Sequence, residues 1–427
     1  MYLNLLKNGL RKFGRGLFPR GMRRSAALPW LIILLVVGIP GIGWKLHRLG
    51  RFGALKREIK GENHTEETAG PSPGGFAPIL LTRSETPGNT LPEFLSATVL
   101  PGLGMGVLQI TAYLPHRGEV PLLMAPSLQS VADGTTGPRA GVDDLRGALE
   151  VPWGGGVGGV ISPLGTTLTT NWKGQTIELP TDAQGRGTVS EGGLLASRGV
   201  DDSRKSADGL SAVGSFRSTN FDDHWPSKSD ITVSVMLAPR TIDLIVDAKN
   251  VGSVPEPMGI GWHPRFTIPS GRRSAVELRL PNGERLEVGD RVRGIPTGHM
   301  IPAGTILERF QGHAMELGID SVNETLVHLK PALLDNGAAA ELRDEASGYG
   351  LRMTAVSESI RALRVTAPAG ENYVSLGMQT NYEDPFGREW SAADGPGIIT
   401  LEPGQTLEWR VRLEIFPILG RNGGAVE

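Results

Sequence analysis

Along most of this chain, apolar residues return at every second position. Ile231, Val233, Val235 and Leu237 alternate with polar neighbours. After Ala238-Pro239-Arg240 the same period resumes at Ile242, Leu244, Val246 and Ala248. A period of two turns one side of a strand toward an apolar core and the other toward water, so these runs predict an antiparallel hairpin. Val276, Leu278 and Leu280 repeat the alternation, as do Leu407, Trp409, Val411, Leu413 and Ile415, predicting two further strands. Pro281-Asn282-Gly283, Asp335-Asn336-Gly337 and Pro403-Gly404 punctuate the runs as turns. No stretch after residue 60 keeps a helical period over three turns. The pattern predicts one large antiparallel β domain over roughly residues 76–418, followed by a short polar tail, 419–427. Two stretches break the alternation. Residues 127–145, rich in Ser, Gly, Asp and Thr, predict a surface insertion. Residues 196–222, with Asp201, Asp202, Arg204, Lys205, Asp208 and Asp222, predict a long charged loop.

The first part of the chain has a different texture. Residues 1–24 carry Lys7, Arg11, Lys12, Arg15, Arg20, Arg23 and Arg24 and no acid, and residues 25–44 are uncharged. That apolar run is long enough to cross a bilayer as one helix. Pro29 falls near its start, Pro40 would kink it, and Trp30 and Trp44 lie near its ends, where interfacial indoles belong. Lys45, His47, Arg48 and Arg51 follow where a cleaved signal peptide would have small residues, so the expectation is an uncleaved single-pass anchor. Both flanks are basic. The acid-free amino-terminal side points to a cytoplasmic N-terminus and a domain on the extracytoplasmic (periplasmic) side. Residues 45–75, polar and then rich in proline and glycine, read as a linker or stalk.

Composition narrows the chemistry. The 427 residues carry a net charge of -2, so no basic field draws nucleic acid. The 59 glycines and 31 prolines fit a turn-rich β chain, and the absence of cysteine removes disulfides, thiolate metal ligands and cysteine nucleophiles. The eight histidines form no HxH or HxxxH pair, and no metal site is expected. One segment combines a titratable group with aromatic walls: Gly259-Ile260-Gly261-Trp262-His263-Pro264-Arg265-Phe266. His263 can exchange a proton near neutrality, and rings beside it suit a flat-faced, hydroxyl-rich ligand such as a sugar. The plainer reading is a satisfied core histidine next to a turn proline. Trp153, Trp225 and Trp262 could equally supply stacking faces or fill the core.

The order of short segments along the chain is more specific than any one of them. Ala97-Thr98-Val99-Leu100-Pro101 precedes Glu150-Val151-Pro152-Trp153, Gly193-Leu194-Leu195 and His224-Trp225-Pro226. Then come Gly261-Trp262-His263-Pro264-Arg265-Phe266, Gly318-Ile319-Asp320, Thr380-Asn381 and Leu401-Glu402-Pro403-Gly404. In this order the chain resembles the aldose 1-epimerase (galactose mutarotase) family. The resemblance implies an all-β supersandwich with a carbohydrate site on its concave face and no cofactor. Interconverting anomers takes one base for the C1 hydroxyl and one acid for the ring oxygen. The family uses a glutamate and a histidine, helped by a second histidine, a sugar-binding aspartate and often an arginine.

Carried over by motif, His263 falls on the acid histidine and Asp320 on the sugar-binding aspartate. The arginine after Pro-Trp is replaced by Gly154-Gly155-Gly156, the second histidine by Gly192, and the base glutamate by Gly377. Glu371, Glu191 and Asp384 lie near these gaps. Glu383 would share a strand face with Gly377, Gln379 and Asn381 if the strand stayed regular, which makes it the expected replacement base. The expected catalytic pair is therefore His263 and Glu383, with Asp320, Trp262, Trp153, Gln379 and Asn381 binding substrate. Two functions follow: a membrane-anchored epimerase-like protein that binds a pyranose and interconverts its anomers, or an inactive carbohydrate-binding module on the same scaffold.

Overall fold

The period-two runs assemble into two large antiparallel sheets. The computed structural model describes residues 70–418, apart from 116, 135–148, 182–188, 291–293, 334 and 391–394. The basic segment 1–24, the expected anchor 25–44, most of the expected stalk and the tail 419–427 lie outside the described residues. Among the described residues no helix is long and apolar enough to cross a membrane.

The nine-stranded sheet runs in the order Asp202–Lys205, Ser211–Thr219, Ser229–Leu237, Thr241–Asn250, Thr406–Pro417, Tyr349–Ala355, Ala339–Asp344, Glu277–Arg279, Met315–Glu316. The predicted hairpin sits in it with Val233 opposite Val246 and Leu237 opposite Ile242. The eight-stranded sheet runs Ile295–Ile301, Asn282–Asp290, Val322–Lys330, Ala362–Ala367, Tyr373–Gln379, Gly261–Trp262, Leu149–Glu150, and Arg265–Thr267 also pairs with Tyr373–Gln379. One continuous core holds Val233, Val246 and Trp409 of the first sheet together with Leu326, Val365, Leu376 and Met378 of the second. Apolar faces meeting in one core make the pair a sandwich. Two of the predicted turns do more than reverse the chain. Pro281-Asn282-Gly283 carries it from the nine-stranded sheet to the eight-stranded one, and Asp335-Asn336-Gly337 carries it back.

One of the two irregular stretches needs correction, and in the other residues 135–145 lie outside the described residues. Residues 196–222 are not one loop, because Asp202–Lys205 and Ser211–Thr219 pair as an edge hairpin with Lys205 opposite Ala212. The inward positions of the second strand are Ala212, Gly214 and Phe216, and two of these are too small to register as an apolar alternation. Gly214 is needed at its place, because a β-carbon there would press on the buried Met105 side chain. Within 127–145, Leu128–Asp133 is a short helix. Ser127 Oγ accepts from the Ser130 N–H at its start, and Gly134 ends it in the left-handed region.

Candidate active site

Register places the chemistry. Residues directly opposite each other in an antiparallel pair project to the same face. In Tyr373–Gln379, Leu376 and Met378 enter the core, so Ser375, Gly377 and Gln379 lie on the far face. Across from Gln379 stand Ala362 and Gly261, and Gly261 in turn faces Glu150. Across from Gly377 stands Arg364, which faces Thr325. Across from Ser375 stand Thr366 and Arg265, and Thr366 faces Asn323. Strand pairing thus gathers a polar face from five segments distant in sequence.

His263 leaves the strand Gly261–Trp262 and lays its ring on Gly377. A β-carbon at Gly377 would overlap ring atom Cδ2 and stand 2.7 Å from Nε2. Nδ1 is 3.1 Å from Glu150 Oε1, and Glu150 Oε2 accepts the Gly155 N–H at 2.7 Å. Nε2 is buried without a hydrogen-bond partner. Burial disfavours the charged imidazole, but the charge and hydrogen bond of Glu150, aided by the charge of Glu383, outweigh it against the opposing charge of Arg364. The His263 pKa consequently lies above its ordinary value, and the ring keeps its second proton closer to neutrality.

The triglycine that stands where the resemblance implies an arginine has a structural use. Gly155 donates to Glu150, Gly156 donates to Glu383 Oε2 at 3.0 Å, and Gly158 donates to Asp384 Oδ1 at 2.9 Å. Backbone N–H groups in sequence make a concavity for anions, here filled by the protein's own carboxylates. Gly155 has φ +72 and its α-carbon lies under Glu383, so a side chain there would collide with that carboxylate. Glu383 Oε1 also takes Thr325 Oγ1 at 3.4 Å and Arg364 Nη1 at 3.5 Å. Burial, opposed by the Gly158 N–H and reinforced by the nearby charges of Glu389 and Glu383, pushes the Asp384 carboxyl up to about 7.

With this geometry in view, the family model described as aldose 1-epimerase matches residues 172–414. The chain belongs to the aldose 1-epimerase family. Solved structures of similar fold include a galactose mutarotase-like protein from Clostridium acetobutylicum, with 14% identity over 76% of this chain and 93% of that one, at a TM-score of 0.59. A putative aldose 1-epimerase from Escherichia coli K12 is 15% identical over 80% of this chain and 100% of its own, at a TM-score of 0.58. An aldose epimerase homologue from C. elegans is 16% identical over 80% and 99%, also at 0.58. At such identities the likeness is one of fold. No curated protein matches the chain in sequence.

Within this member of the family, the expected site residues fall into three groups. His263 and Glu383 come together, close enough for the glutamate's charge to act on the imidazole. Gln379 and Asn381 border them but are fully buried and hold the loops. Asn381 bonds both the N–H and the carbonyl of Gly154, and Gln379 Nε2 donates to the Asn381 carbonyl at 2.7 Å. Gln379 Oε1 stays buried without a partner. Trp153, Trp262 and Asp320 are not brought to this polar face. Both tryptophans are core residues, 0% and 1% exposed, and Trp153 stacks on Trp225 with centroids 5.6 Å apart. Asp320 follows its turn beyond the end of Val322–Lys330, where Arg309 holds its carboxylate and Arg273 its carbonyl. Val322 aligns through Ala367 with Val374, three residues along the strand from Gly377 and two strands over, so roughly 10 Å in each direction separates them. Asp320 therefore lies well away from the Gly377 position that His263 covers.

Glu150, Arg364 and Thr325 are site residues that strand patterning missed. They come from Leu149–Glu150, Ala362–Ala367 and Val322–Lys330, three strands that are not consecutive in the chain. Their convergence depends on sheet order, which a period cannot encode. Among the described residues no group of three His, Asp or Glu side chains could hold a metal ion.

Proposed function

We propose that this protein binds a pyranose on the far face of the eight-stranded sheet, against His263, Arg364 and Glu383. The observation that carries this reading is the His263–Glu150 pair itself. An imidazole is fixed in one orientation by a buried carboxylate, inside a family built for aldoses, on a polar wall that includes Thr325, Thr366 and Asn323. Passive binding is favoured over turnover by where Nε2 lies. It rests on Gly377, at the position the resemblance gives to the base, and both site carboxylates already accept hydrogen bonds from the protein.

Anomer interconversion is a second reading, favoured by the proximity of His263 and Glu383. In it, the imidazolium protonates the ring oxygen as Glu383 takes the C1 hydroxyl proton. The hemiacetal opens, C1–C2 rotates and the ring recloses with the protons returned. NMR separates the two. The purified protein is expected to give saturation transfer to glucose or galactose, while α-to-β equilibration stays within about tenfold of the buffer rate. Equilibration faster by about a hundredfold or more, abolished in His263→Ala, would make it an epimerase. No saturation transfer and no acceleration would remove the sugar reading.

The uncharged run 25–44 between basic flanks supports a single-pass anchor with the domain on the extracytoplasmic side. Full-length protein is expected to stay with carbonate-washed membranes, and a phosphatase fused after residue 60 is expected to be active. Release into the wash, or an inactive but intact fusion, contradicts that placement.

A further inference from the structure

The donors and acceptors on the far face are unequal. A sugar that offers only hydroxyls is usually held by side chains that both donate and accept, and a carboxylate with free lone pairs is the strongest acceptor available. The two carboxylates nearest His263 on this wall already accept hydrogen bonds from the protein. Glu150 is taken by His263 and the Gly155 N–H, and Glu383 by the Gly156 N–H, Thr325 and Arg364. Asp320, which the resemblance places in the site, is bound to Arg309 elsewhere. The donors are differently disposed. Arg364 faces Gly377 and is 37% exposed. Arg265 faces Ser375 on the same side, two residues along, and its guanidinium lies 5.4 Å over the Tyr373 ring.

A guanidinium stacked on an aromatic ring keeps its in-plane N–H groups free for a second partner. Among the described residues Arg265 meets no carboxylate. Between the two arginines stand Ser375, with its small side chain, and Gly377, on which the His263 ring rests. Arg265 is thus a fork seated over the Tyr373 ring, about 7 Å along the strand from the Gly377 position that His263 covers.

We infer that the ligand is a pyranose bearing an anionic group, carboxylate or phosphate, and that Arg265 is the residue that selects it, with Arg364 alongside. The inference rests on the pyranose reading of the same hollow and adds the class of sugar. The anionic substituent lies toward Arg265 and the sugar ring toward His263. A bidentate guanidinium–anion contact has both charge and geometry to separate such a ligand from a neutral hexose.

Calorimetric titration of the full-length protein in detergent tests this with D-glucose, D-glucuronate, D-glucose 6-phosphate and inorganic phosphate. At least one anionic sugar is expected to bind about tenfold or more tightly than glucose, the range of a hydrogen bond to a charged group. Which of the two binds identifies the carboxylate or the phosphate. Arg265→Gln is expected to erase that advantage while leaving glucose binding within about twofold, and Arg265→Lys to restore only part of it. Ser375→Glu, which sets an internal carboxylate opposite Arg265, is expected to erase it too, and keeps the test valid should Arg265→Gln fold poorly. Glucose binding as tightly as both anionic sugars overturns the inference but leaves pyranose binding standing. So does an anionic preference unchanged in both variants. Inorganic phosphate matching the sugar ligands in affinity overturns it as well, and binding of no sugar at all removes both readings.

Discussion

Gly377→Ala is expected to destabilise the protein by about 1–3 kcal/mol and to dislodge the His263 ring. A β-carbon at this position overlaps imidazole Cδ2, and the neighbouring atoms are the ring itself, wedged between the strand and Glu150. The ring cannot yield by a simple rotation without giving up its bond to that carboxylate. Chemical denaturation and the NMR titration of the His263 imidazole read the two effects separately. Gly370→Ala is the control, because a β-carbon there meets nothing within 4 Å. The same geometry governs Gly377→Glu, which puts a carboxylate at the position where the resemblance implies the family's base. It is expected to gain no anomer interconversion, since the new side chain must first expel the imidazole it would have to work with. A Gly377→Ala protein with unchanged stability and an unchanged His263 titration would mean that the ring does not rest there.

Glu150→Gln is expected to lower the His263 pKa and to cost stability mainly in acid. A histidine whose folded pKa is raised contributes stability that is complete below its unfolded value, about 6.5, and fades as pH rises through the folded value. Burial alone would push the imidazole the other way, so the raise depends on Glu150. Glutamine keeps the shape and an oxygen for the Gly155 N–H but removes the charge. The expected loss is about 1.5–3 kcal/mol at pH 6, the scale of a hydrogen bond to a charged group, and is smaller at pH 9, as the ring gives up its second proton. Urea denaturation of wild type and variant at the two pH values gives the difference directly. An equal loss at both would show that Glu150 acts through packing alone, and that His263 carries no extra charge in the fold.

Both variants probe contacts that join parts of the chain far apart in sequence, and this is where sequence reading lost its grip. The alternation at Ile231–Leu237 and Ile242–Ala248 specified a hairpin, and its register followed from keeping one face apolar. The Gly261–Phe266 segment carries His263 onto Gly377 and beside Glu150, and neither neighbour is written in the segment itself. Glu383 lies beside Thr325 and Arg364 of the same face, even though the regular strand stops at Gln379. Trp153 and Trp262 were misplaced, because indoles beside a candidate site pack the core as readily as they stack on a ligand.

By itself, then, the sequence determined the all-β class and the paired strands, and it singled out His263. A period of two states which residues share a face within one strand, and apolar content states which face is buried. Only the tertiary structure decided what stands beside that histidine. Glu150 reaches it because Leu149–Glu150 happens to be the strand next to Gly261–Trp262, and Asp320 misses it because its turn lies past the end of a strand two places away. Glycines at 155 and 377 looked like lost functional groups, yet each makes room for a side chain arriving from another strand or loop. Sheet order and close approach are properties of the assembled core, and no local pattern contains them.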